Sequence, residues 1–173
     1  MTILLKYKHK IIKVVFILYI LAVLYITQFP LPFGIKFHLG DINYNFIPFN
    51  FLIKRYEVIQ EINRAGYDVN NYIMSNIEIV VKSFGYNVVL FLPFGFILHL
   101  LDKKNCSAIR VAVFSFIFSL SIELLQLLTM IIAIAPVRVF DVDDIMANLI
   151  GGVVGYCLLL IIKKFQKIMK LSR

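Results

Sequence analysis

With 61% of its 173 residues hydrophobic and only 16% charged, the chain is too apolar for a water-soluble domain and has the composition of an integral membrane protein. Its net charge of +8 would admit a nucleic-acid binder. The basic residues argue otherwise: Lys6, Lys8, Lys10 and Lys13 crowd one end, and Lys163, Lys164, Lys167, Lys170 and Arg173 the other. They flank apolar runs, the pattern of cytoplasmic membrane boundaries, so no nucleic-acid partner is expected. The two cysteines, Cys106 and Cys157, lie far apart with no CxxC and read as free thiols. A single domain over 1–173 is the expectation at this length.

The first apolar run, about 11–29, reads as a retained membrane anchor, because no A-x-A-like cleavage site follows it. Pro30, Pro32 and Gly34 then open a long connection over 30–76, rich in Asn, Tyr and Phe. Within it, Asn45-Phe46-Ile47-Pro48-Phe49-Asn50 is an apolar-aromatic patch bracketed by amides. Leu52, Tyr56, Ile59 and Ile62 follow at helical spacing, with Lys54, Arg55, Glu57, Glu61 and Arg64 facing away. That predicts an amphipathic helix, ending at Gly66, that lies on the membrane surface or caps the bundle.

The second span centres on Asn87–Leu101, which alone rises about 22 Å against a bilayer core of about 30 Å. It therefore has to begin earlier, near Ile77, giving a span of about 77–101. Pro93 followed by Gly95 predicts a kink or local unwinding within it. A third span runs over about 108–135 and a fourth over about 144–162. The fold class expected is all-α: a polytopic membrane protein of about four transmembrane helices plus an extracytoplasmic interfacial helix. Four spans put both termini on one side. That side carries the basic ends together with Lys103, Lys104 and Arg110, and only one acid, Asp102. The positive-inside rule makes it cytoplasmic and places the 30–76 connection outside.

Candidate functional residues come from three of these helices. Ser115, Ser119, Glu123 and Gln126 fall at spacings of four, four and three, one polar stripe on the third span. Glu123 lies roughly 22 Å up from Ala108, in the outer half of the membrane. A carboxylate there is costly and marks a functional-site candidate. Asp144 and Asn148 begin the fourth span on the same side, and Asn87 begins the second. Adding Arg138 and Asp141 completes the set: Asn87, Ser119, Glu123, Gln126, Arg138, Asp141, Asp144 and Asn148. Glu123, Asp141 and Asp144 are the candidates for acid–base chemistry. Plainer readings stand beside these: Glu123 can be a neutral side chain bonded to Ser119 or Gln126. Asp141 or Asp144 can cap the fourth helix, Asn148 and Gln126 can bond across helices, and Gly151, Gly152 and Gly155 can form a close-packing face. His9, His38 and His99 are isolated from the cluster and make no zinc site. Its oxygen-rich character would suit a hard cation better, but no ligand spacing singles one out, so neither a metal nor a cofactor is expected.

At these residues the chain resembles the VanZ-like membrane protein family. The matching pieces occur in the family's order: Asn45–Phe49, then Asn87–Gly95 (NVVLFLPFG), then Ser119–Gln126 (SLSIELLQ), then Arg138–Gly152 (RVFDVDDIMANLIGG). The stretch from Phe51 to Tyr86 corresponds only to a variable insert. The family's name-giving member is associated with low-level glycopeptide resistance, teicoplanin especially. The resemblance therefore implies a role in the cell envelope of a Gram-positive-type bacterium, in its cell membrane, with no agreed reaction.

Two expectations follow. In one, the protein is not an enzyme: an outward cleft among membrane lipids binds a lipid-linked cell-wall precursor or the glycopeptide itself and limits drug action. In the other, it is an intramembrane enzyme acting on a lipid or isoprenoid-phosphate substrate, with Glu123 or Asp144 as general base and Arg138 gripping the anion. The oligomeric state is left open by the sequence.

Overall fold

A computed structural model describes residues 2–28, 43–66, 69–131 and 139–171 of the chain. Within them lie five helices and two short strands: α1 (Thr2–Gln28), β1 (Asn43–Asn45), α2 (Asn50–Arg64), α3 (Val69–Leu101), α4 (Ala108–Ile131), β2 (Val139–Asp141) and α5 (Val142–Leu171). Four of the helices contain segments long and apolar enough to cross a membrane: Tyr7–Gln28, Lys82–Leu101, Ala108–Ile131 and Val142–Lys170. The protein is an all-α polytopic membrane protein by length and composition of its helices.

Three of the helices outrun the apolar runs that predict them; α4 is described to Ile131, and 132–135 of the third predicted span lie outside the described residues. α1 starts well before residue 11, α3 starts at Val69 rather than near Ile77, and α5 continues through the basic tail to Leu171. Lysines are good helix formers, so α1 and α5 continue into their flanking charges. α3 continues as helix through Pro93, so of the kink or unwinding expected there the unwinding does not occur. The proline is exposed on the outside of the bundle, and what it removes is one backbone donor.

α3 and α5 form the centre, and their contact is backbone against backbone. A Cβ added at Gly155 would collide with the carbonyl of Leu92, one at Gly151 with the carbonyl of Val88, and one at Gly95 with the carbonyl of Gly152. The close-packing face expected of the α5 glycines is there, and Gly95 completes it from the other helix. α4 packs alongside, with Ser115 filling the space that a side chain at Gly152 would need. α1 is peripheral. It contributes Val23 to a core with Phe91, Phe94 and Ile122, and its Tyr19 hydroxyl donates to the Leu90 carbonyl at 2.7 Å. Its other faces expose Ile11, Val14, Ile17, Leu18 and Leu21, apolar side chains that acyl chains would cover.

The predicted amphipathic helix is α2. Ile59 and Ile62 are half-buried while Glu57, Glu61 and Arg64 are exposed; Tyr56, assigned to the apolar stripe, is exposed as well. Gly66 ends the helix at φ 76, a left-handed conformation that favours glycine, and its N–H donates to the Asn63 carbonyl at 3.1 Å.

Candidate functional site

The two strands were not expected. β1 and β2 pair in parallel, Asn43 with Val139, Tyr44 with Phe140 and Asn45 with Asp141. This short ribbon sits where α4 and α5 meet and ties the Asn45–Asn50 patch to the start of α5. Phe46 packs on Phe140 with ring centroids 5.3 Å apart. The Asn45 amide donates to Asp141 Oδ1 at 3.0 Å, and the Phe49 N–H donates to Asp143 Oδ1 at 2.7 Å. Phe49 itself stands at φ 56, a left-handed conformation unusual for a residue with a side chain.

Asp141 caps α5. It immediately precedes the helix, and its Oδ1 accepts the Asp143 N–H at 2.9 Å. The capping reading therefore holds for this residue. Its own N–H donates to Glu123 Oε2 at 3.0 Å. Glu123, 2% exposed, thus reaches from α4 to hold the strand that leads into α5. A buried carboxylate that accepts a backbone N–H recovers part of the hydration it lost.

The rest of the polar stripe points the same way. Ser119, fully buried, accepts from the Asn148 amide at 2.8 Å. Gln126 donates to the Thr27 carbonyl at the end of α1, at 3.0 Å. The Asn87 amide of α3 donates to Asp144 Oδ1 on α5. The cross-helix bonding expected of Asn148 and Gln126 is present. Two buried acceptors, Asn148 Oδ1 and Asp143 Oδ2, have no hydrogen-bond partner among the described residues.

These groups surround a cavity of about 460 Å³. Asn87, Glu123, Gln126, Asp144 and Asn148 line it on one side of its chemistry; Ile26, Val89, Leu90 and Ile122 supply the other. Of the eight residues predicted to act together, five line this one cavity. Ser119 supports it from behind through Asn148, and Asp141 supports it through Glu123. Arg138 lies outside the described residues. Sequence reasoning missed Asn45, Phe49 and Asp143. The signal available was the amide-bracketed aromatic patch, but nothing in its spacing says what it docks against.

Chemically, the arrangement offers carboxylate and amide groups in a cavity that apolar side chains also line. It contains no group of three or more His, Cys, Asp or Glu side chains placed to hold a metal ion among the described residues.

A protein-family model described as VanZ/LLP1 matches residues 16–163. That interval contains the cavity and every predicted site residue. No curated protein matches the chain, and no solved structure does.

Proposed function

The chain belongs to the VanZ/LLP1 family, and on that premise we propose that it is a binding protein of the bacterial cell membrane, whose cavity takes the polar part of a lipid-linked envelope component. Binding or altering that component lowers susceptibility to glycopeptide antibiotics such as teicoplanin. The observation that carries this reading is the cavity's mixed lining: at about 460 Å³ it falls within the range of small-molecule sites, and both polar and apolar side chains line it. An amphiphile in a bilayer presents both kinds of surface. Both termini face the cytoplasm in this reading, so the cavity opens toward the outer leaflet, where glycopeptides act.

Binding is preferred over catalysis because of how the carboxylates are used. Glu123 holds a backbone N–H, and Asp144 holds the Asn87 amide. Each of these two contacts positions the chain.

The test uses the gene and one cavity-filling variant. Expression in a susceptible Gram-positive host is expected to raise the inhibitory concentration of teicoplanin more than that of vancomycin. Val89→Trp, at a lining residue already 60% exposed, is expected to remove that protection while membrane abundance stays normal. Equal susceptibility with and without the gene would remove the resistance assignment. Full protection by Val89→Trp would remove the cavity from it.

A further inference from the structure

A second cavity, of about 360 Å³, opens at the other end of the bundle, where α1 meets the turn between α3 and α4. Lys8 and His9 of α1 line it, with Lys103 and Lys104 of the turn, beside the apolar Ile12, Leu100 and Leu101. Asn105 and Asp102 line it as well. Asp102 is its one acid, and that charge is already engaged: Oδ2 pairs with Arg110 at 2.9 Å, and Oδ1 accepts the Asn105 N–H at 3.2 Å. Close by, Lys163 Nζ of α5 stands 2.6 Å from His99 Nε2 of α3, a further basic pair at this end of the bundle. Segments distant in sequence thus bring ammonium groups to one concave place with little acid to balance them.

We propose that this cavity seats the phosphate of an anionic phospholipid headgroup. Lys8, Lys103 and Lys104 hold the phosphate oxygens, and the first carbons of the acyl chains lie against Ile12, Leu100 and Leu101. A lipid is favoured over free phosphate by position and by lining. The cavity lies at the ends of two membrane spans, Tyr7–Gln28 and Lys82–Leu101, and a basic pocket between helices at that depth suits a charged headgroup. The site stands apart from the envelope-component cavity and does not depend on it.

The experiment reconstitutes the full chain in phosphatidylcholine nanodiscs containing phosphatidylglycerol, releases it into mild detergent and counts retained lipids by native mass spectrometry. The wild type is expected to retain phosphatidylglycerol in preference to phosphatidylcholine. Lys103→Ala with Lys104→Ala is expected to cut that retention about tenfold or more, while Lys103→Arg with Lys104→Arg keeps it. Lys167→Ala with Lys170→Ala, on the exposed end of α5 outside this cavity, is expected to leave it unchanged. Equal losses from the two alanine pairs would overturn the proposal in favour of diffuse surface charge. Equal retention of the two lipids, or displacement of phosphatidylglycerol by millimolar inorganic phosphate, would overturn it too. Should the Lys103/Lys104 pair not reach the membrane, Lys8→Ala with His9→Ala on the other wall is read by the same criteria.

Discussion

Glu123 Oε2 accepts the Asp141 N–H and so anchors the strand before α5. Asp143 does the corresponding work for the aromatic patch by accepting the Phe49 N–H. Both roles are long-range, and they differ in how legible they were. Glu123 announced itself, because a carboxylate in an apolar helix needs a reason. Asp143 did not, because three acids at a helix start are already explained by capping and by the helix dipole. Its contact with Phe49 gives it a distinct prediction. Asp143→Ala is expected to cost about 1.5–3 kcal/mol, the range for a lost hydrogen bond to a charged group, and to speed amide exchange at Phe49 and its neighbours. Unchanged protection of that segment would show that the aspartate does not hold it.

Among the elements, the α3–α5 pair carries the bundle. Its glycines let two backbones approach until carbonyls occupy the places of missing side chains. Lipid tails are as apolar as the helices, so close packing rather than apolar burial must hold such a pair. Gly155→Val is therefore expected to destabilise the detergent-solubilised protein by about 1–3 kcal/mol or more, read as a lower midpoint in thermal or SDS unfolding. Leu158→Val, at an exposed position one turn on, serves as the control and is expected to change little. The glycine face of α5 was readable from its spacing of four and three. Its partner was not: Gly95 looked like half of a helix-weakening Pro-x-Gly, and only the packed helices show it meeting Gly152.

For the whole molecule, the four spans return the chain to its starting side, and the proposed orientation makes that side cytoplasmic. Cys106, in the turn between α3 and α4, reports on it. In a Cys157→Ala background, an impermeant maleimide is expected to label Cys106 only after the cells are opened. Burial, and after it the nearby Asp102 carboxylate, push this thiol up from its ordinary value. The thiolate reacts, and its population grows as pH rises, so labelling of opened membranes is expected to be slow near neutrality and to accelerate at more alkaline pH than for an ordinary thiol. Labelling in intact cells would invert the topology and turn the polar cavity inward.

Hydropathy and helical period were enough, in the residues alone, to reveal four candidate spans, the amphipathic helix and a grouping of Asn87, Glu123, Gln126, Asp144 and Asn148 that line one cavity. Those are properties of one helix at a time: an apolar run has a length, and a stripe has a pitch. What folding alone decided is how the helices meet. The parallel ribbon, the docking of Asn45 and Phe49 on the start of α5, and the pairing of Gly95 with Gly152 join residues far apart along the chain. No periodicity encodes such a contact, because it exists only when two surfaces have already found each other and each fills the space, or satisfies the hydrogen bond, that the other leaves open.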